Sequence, residues 1–206
     1  MDPRNFLVVD RIAMFEDLSY DADFHTKSVV NKILSSTKLP ENGFTADLFV
    51  AAGKTYDISP VHLASRARQE TGGGSDCING SKVNGTKVYN PFNIGATSSA
   101  NPVAKALSYA SSKGWTTPKK AINGGAKFIA ESYINNKQDS IYLEKFNVAN
   151  GLGSVATHQY MTNIMAAYTE SYSVMNSYQI YGIDDEALTF VIPIYSSMPS
   201  KTSLPK

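Results

Sequence analysis

Ser59-Pro60-Val61-His62-Leu63-Ala64-Ser65-Arg66-Ala67-Arg68-Gln69-Glu70-Thr71-Gly72-Gly73-Gly74 reads as one helix that carries a single carboxylate, Glu70, to its own C-terminal end and then stops in glycine. Ser59 is a suitable N-cap, and Pro60 suits the first turn because its missing N–H has no helical partner there. The glycines at 72–74 supply the positive-φ positions that end a helix. A carboxylate at that end faces the negative pole of the helix dipole, which disfavours its charged form. A group held protonated near neutral pH is what general-acid catalysis requires. Against this stands the plain alternative, a solvated glutamate at a helix end, and the rest of the chain decides between them.

The flanking sequence is dominated by helical periodicity. Residues 26–36 place Val29, Val30, Ile33 and Leu34 on one face, and residues 44–56 repeat the pattern with Phe44, Leu48, Phe49, Ala52 and Tyr56. From 75 to 92 the character changes. Asn79-Gly80 and Asn84-Gly85 are turn signals, and Lys82-Val83 and Lys87-Val88-Tyr89 alternate polar and apolar, so a small β-hairpin lobe is expected directly after Glu70. Helices are expected again over about 102–113 and 118–135. A long helix is expected over about 154–177, with Tyr160, Ile164, Ala167, Tyr168 and Tyr172 turned inward, and a strand over 188–195. The fold class is therefore mostly α, an α+β arrangement with a small β-hairpin beside the glutamate helix. One domain is expected over 1–206.

Composition excludes several functions. The 206 residues are 42% hydrophobic and 18% charged, with a formal net charge of +1. That balance argues for no nucleic acid partner and no acidic membrane surface. No apolar run approaches membrane-spanning length. Cys77 is the only cysteine, so an intrachain disulfide is impossible, and its Gly/Ser/Asn-rich surroundings do not suit a nucleophile. Three dispersed histidines and one cysteine make no metal-ligand pattern, and no cofactor is called for. Twelve tyrosines and nine phenylalanines against one tryptophan suit flat sugar rings as well as core packing. The chain opens directly in globular-looking sequence, Met1-Asp2-Pro3-Arg4, which fits either a cytoplasmic protein or a catalytic domain cut from a longer secreted chain.

Five segments in order go beyond layout. Ser59 to Gly72 is followed by Tyr89-Asn90-Pro91-Phe92-Asn93-Ile94-Gly95-Ala96, by Gly124-Gly125-Ala126-Lys127-Phe128-Ile129 with Ser132-Tyr133-Ile134, by Gln138-Asp139-Ser140-Ile141-Tyr142 leading to Lys145-Phe146-Asn147, and by Thr157-His158-Gln159-Tyr160-Met161-Thr162-Asn163-Ile164. Over nearly the whole chain this resembles the glucosaminidase family of bacterial autolysins, glycoside hydrolase family 73. The resemblance implies a lysozyme-like α fold and cleavage of the β-1,4 bond after N-acetylglucosamine in peptidoglycan glycan strands. It implies a secreted, cell-wall location, a monomer, and excision from a longer cell-wall protein. By the resemblance, Glu70 matches the catalytic acid and Tyr160 a tyrosine near the scissile bond. Phe92 and Asn93 match a cleft-lining segment, Tyr133 and Gln138 the opposite wall, and Gln69 a further substrate-binding position. One departure stands out: the family often has aspartate where this chain has Asn163, with alanine where it has Met161. Asn163 cannot act as a base and is read as an orienting or helix-capping residue.

Two mechanisms stay open at this point. Either the substrate's 2-acetamido group is the internal nucleophile, or a second carboxylate (Asp76, Glu131 or Asp139) activates water. A pairing of Arg66 with Glu70, one helical turn apart, would hold the acid ionised, so Arg66 is expected to point away. His62 and Trp115 read as packing residues and His158 as a helix-start residue. A muramidase, a lytic transglycosylase and a non-catalytic glycan-binding module are the competing functions.

Overall fold

The computed structural model describes residues 2–72, 74–96, 100–160 and 163–201, so Met1, Gly73, Met161 and Thr162 of the segments above lie outside the described residues. The chain forms two compact units, one from Ser19–Glu131 and one from Met1–Leu18 with Ser132–Lys206.

In the Ser19–Glu131 unit, α1 (Lys27–Leu34), α2 (Ala46–Tyr56) and α3 (Pro60–Thr71) pack against one another. The periodicity lands as expected: Val29, Val30, Ile33, Leu34, Phe44, Phe49 and Ala52 are all buried. α3 is the most enclosed, with Val61, Leu63, Ala64 and Ala67 at 0% exposure, so its first two turns run through the core. A short helix, α4 (Asp76–Asn79), follows and ends at Gly80 in the left-handed conformation, so Asn79-Gly80 is a helix stop and not a hairpin turn. The hairpin itself joins β1 (Ser81–Val83) and β2 (Thr86–Val88), antiparallel with Lys82 opposite Lys87. Its turn residues Asn84 and Gly85 both have positive φ, which matches the right-handed twist of the strands. α5 (Pro102–Ser112) contacts both strands, and α6 (Pro118–Ser132) begins close to its expected start.

The Gly124-Gly125 pair in the middle of α6 has a packing reason. The Trp115 indole lies directly on Gly124 and the Phe92 ring directly on Gly125, each where a Cβ would otherwise stand. Two aromatic rings thus sit on bare helix backbone, and both are buried, Trp115 at 5% and Phe92 at 4% exposure. Trp115 anchors its corner as the sequence suggested.

The second unit is built on α7 (Ile141–Phe146) and α8 (Ala166–Tyr181) against a 3-10 helix at Val9–Phe15. Met14, Phe15, Ile141, Tyr142, Leu143 and Ala167 form its core. The expectation of a helix from 154 is corrected: α8 starts only at Ala166. Upstream, Ala156 and His158 have positive φ. The backbone there bonds across the loop, Ala156 N–H to the Phe146 carbonyl (2.7 Å) and Tyr160 N–H to the Glu144 carbonyl (3.2 Å). These tertiary bonds replace the i→i−4 ladder that local propensity would have made. Tyr168 and Tyr172 are not inward either; both are exposed, and their rings lie 4.2 and 4.4 Å from the Arg11 guanidinium carbon, a cation–π arrangement. The strand expected over 188–195 reduces to a single bridge, Glu16 with Phe190, because Pro193 has no N–H for a ladder.

Glu16 is 2% exposed, and its two carboxyl oxygens share the single hydroxyl proton of Tyr178, at 3.0 and 2.8 Å. Burial pushes its carboxyl up to about 8, against the opposing effect of the Tyr178 bond and with a smaller contribution from Asp17. A raised folded value means that the native state holds a proton that the unfolded chain releases above its ordinary value of 4.5. Stability is therefore full below that value and is lost as pH rises through about 8, by at most about 1.4 kcal/mol per pH unit. Urea denaturation at pH 5, 7 and 9 is expected to show this decline, and Glu16→Gln is expected to flatten it.

Candidate functional site

Glu70 is the next-to-last residue of α3. The start of the helix is capped as its sequence suggested, the Ser59 hydroxyl accepting from His62 N–H at 3.1 Å with Pro60 at the first position. At the other end Gly72 takes φ +58 and its N–H bonds to the Arg68 carbonyl. The Gly74 N–H reaches the Thr71 carbonyl at 3.0 Å. The Glu70 carbonyl, one of the last carbonyls that a helix leaves unpaired, accepts instead from the Asn93 side-chain amide at 2.8 Å. The Glu70 side chain is half-buried, and among the described residues its carboxylate has no hydrogen bond and no ion pair. Arg66 is 4% exposed, and among the ion pairs of the described residues none joins it to Glu70. It lies instead one turn from His62, which is buried in the same helix; burial and the neighbouring Arg66 charge push His62 down to about 3, so it stays neutral. That makes His62 a packing residue.

The loop 89–96 is organised by Asn90, which is fully buried. Its amide donates to the carbonyls of Ile94 and Ala106, both at 2.8 Å, and accepts from Ile94 N–H at 3.2 Å. Asn90 N–H also bonds to the Cys77 carbonyl at 2.8 Å, tying the loop to α4. Asn93 takes φ +50, a conformation that asparagine tolerates. Phe92, expected in the cleft, points the other way onto Gly125 and is a core residue. Gln69, beside Glu70, is exposed.

The remaining candidates belong to the other unit. Tyr133 and Tyr160 meet edge to face with ring centroids 5.0 Å apart, and Tyr133 also stacks on His158 at 5.1 Å. Both tyrosines are half-buried. His158 is not at a helix start: it is exposed, and its Nε2 lies 2.8 Å from the Ser132 carbonyl. Gln138, expected on a substrate wall, has 0% exposure. Its amide nitrogen donates to the carbonyls of Leu143, Glu144 and His158 (3.1, 3.4 and 3.0 Å), and its oxygen accepts from Asn136 at 2.9 Å. Gln138 holds the loop that presents Tyr160, a role that its bare sequence position did not signal. Gln138→Ala would leave those buried carbonyls short of a donor, and a loss of about 1–3 kcal/mol is expected in denaturant unfolding. Asn163 sits before α8 with its side chain accepting from Met165 N–H at 2.9 Å, in keeping with a capping role. Of the three candidate second carboxylates, Asp76 and Glu131 are exposed, Glu131 within 3.7 Å of Lys127. Asp139 is half-buried, its carboxyl raised by burial. Among the described residues no group of three or more His, Cys, Asp or Glu side chains could hold a metal ion, and no helix is long and apolar enough to cross a membrane.

A mostly α chain with a two-stranded hairpin following a helix that ends on one carboxylate has the lysozyme-like α+β layout. No protein-family model matches the chain. It is 37% identical over 201 residues to the beta-N-acetylglucosaminidase of Bacillus subtilis (strain 168), covering 95% of this chain and 22% of that protein. The crystal structure of Staphylococcus aureus glucosaminidase B superposes with a TM-score of 0.73 at 30% identity, covering 87% of this chain and 70% of that one. A catalytic glutamate-to-alanine mutant of S. aureus autolysin E, solved in complex with the disaccharide NAG-NAM, superposes with a TM-score of 0.61 at 31% identity, covering 88% and 80%. The chain belongs to the glucosaminidase family of autolysin catalytic domains. It spans about a fifth of the length of the B. subtilis relative.

Proposed function

We propose that this chain is a peptidoglycan hydrolase that cleaves the β-1,4 bond between N-acetylglucosamine and N-acetylmuramic acid, with Glu70 as the general acid. The observation that carries the proposal is the state of Glu70: a half-exposed carboxylate at a glycine-terminated helix end, its backbone held and its side chain uncommitted. Such a group is free to donate its proton to a glycosidic oxygen. The autolysin E relative crystallised with NAG-NAM supports the substrate class.

Departure of the leaving sugar creates an oxocarbenium-like centre that needs a partner. The exposed positions of Asp76 and Glu131 and the Lys127 contact of Glu131 give neither an environment suited to a base, which leaves half-buried Asp139 as the one carboxylate alternative of the three. We therefore favour the substrate's own 2-acetamido group as nucleophile, an accepted alternative to the two-carboxylate scheme. Tyr160, with Tyr133 against its edge, supplies an aromatic surface for a sugar face. The domain acts as a single catalytic module of a secreted cell-wall protein and as a monomer.

Mass spectrometry of the products from purified peptidoglycan tests the assignment. Reducing-end N-acetylglucosamine is the expected result; muramic acid or anhydromuramic ends would reassign the bond, and binding without turnover would make the chain a glycan-binding module. The anomeric configuration of the first product, read by NMR, is expected to be retained. Inversion would transfer the second role to a carboxylate.

A further inference from the structure

The loop residue Asn93 faces two ways. Its amide nitrogen donates to the Glu70 carbonyl at 2.8 Å, and its amide oxygen accepts from the Cys77 thiol at 3.1 Å. We propose that Asn93 is a positioning residue for Glu70, not a substrate ligand, and that the Cys77 thiol fixes the orientation of its amide. The inference rests on the reading of Glu70 as the acid.

The final turn of a helix frays because its carbonyls lack helical donors. Arg68 and Thr71 have theirs capped by backbone N–H groups of the glycine turn. The Glu70 carbonyl is capped only by Asn93 among the described residues. That bond holds the Cα from which the acid projects. An Asn amide can face either way, and a flipped Asn93 would aim an oxygen at the Glu70 carbonyl. The Cys77 S–H favours the observed orientation, in which the amide oxygen faces it as an acceptor at 3.1 Å. Cys77 is fully buried, and burial pushes its thiol up, so it keeps its proton and remains a donor. The other supports are in place: the Cys77 carbonyl takes the Asn90 N–H, and the Asn90 carbonyl takes the Asn93 N–H at 3.2 Å. The lone cysteine, unsuited to nucleophilic work, thus gains a role.

Kinetics on purified peptidoglycan test this. Asn93→Ala and the near-isosteric Asn93→Asp, which keeps the turn but lacks the donor, are expected to lower kcat about 10- to 100-fold, the scale at which misplacing a catalytic group by about 1 Å acts. KM should stay within about twofold, since no uniform binding is lost. Cys77→Ala should lower kcat in the same direction by less, and Cys77→Ser, which restores a donor, should recover most of that loss. Thermal unfolding of each variant fixes the folded fraction on which kcat is based. A raised KM with unchanged kcat would make Asn93 a substrate ligand and overturn the inference. A Tm loss with wild-type kcat would reduce it to a stability role, and Cys77→Ala with wild-type kcat would overturn the part assigned to the thiol. A wild-type chain that releases no reducing ends overturns the hydrolase reading, and this inference with it.

Discussion

Glutamine in place of Glu70 is expected to lower peptidoglycan turnover by about 10²- to 10⁴-fold, the usual contribution of a positioned general acid, with the folded state unchanged. The contrast between the two effects is the point. Glutamine matches glutamate in volume, and the native carboxylate makes no hydrogen bond or ion pair among the described residues. Substitution therefore breaks no network and leaves no buried partner behind. The bond that secures the helix end runs to the backbone carbonyl, which the substitution keeps. Turbidity loss of cell-wall suspensions and product mass spectrometry read the activity, and Tm should stay within about 1 °C, as for surface changes generally. Activity within tenfold of wild type would move the acid role to another residue.

Alanine in place of Gly125 is expected to destabilise the Ser19–Glu131 unit, although helix propensity alone argues the reverse. An added methyl in a helix interior gains about 1 kcal/mol over glycine. Here that methyl would occupy the space of the Phe92 ring, which lies on the bare backbone. Phe92 is 4% exposed and cannot swing into solvent without opening the core. Overpacking of a filled core costs about 1–3 kcal/mol, so the net change is expected to be unfavourable, and larger for Gly125→Val, whose β-branched side chain is also a poorer helix former. Phe92 neighbours Asn93 in the same turn, so a displaced ring also disturbs the hold on Glu70, and activity should fall faster than the folded fraction. Gly124→Ala, under the Trp115 indole, should behave alike in stability. A rise in Tm for Gly125→Ala would show that the rings yield more readily than their burial implies.

The amino-acid sequence by itself determined α1, α2, α3, α5 and α6, because their capping residues and apolar periodicity act locally. Ser59-Pro60 opens α3, Gly72 closes it, and Asn84-Gly85 makes the hairpin, each within four residues of the bond that it forms. The lone carboxylate at the end of α3 was legible for the same reason, and the ordered motifs around it pointed to the family. What only the tertiary structure decided depends on partners far apart in the chain. The sequence after 154 carries a helical pattern, yet the Ala156 and Tyr160 N–H groups bond to Phe146 and Glu144, and the His158 carbonyl accepts from Gln138. Phe92 reads as a cleft residue until Gly125 is found beneath it, 33 positions away in sequence, and Gln138 reads as a substrate contact until it is found saturated by carbonyls. Asn93 reads as a cleft-lining residue in the sequence, but the bonds that hold it, to residues 16 and 23 positions away, exist only once α3, α4 and the loop are folded together. Local rules carry capping and periodicity, whereas the direction in which a side chain faces is settled by which distant backbone group most needs a partner.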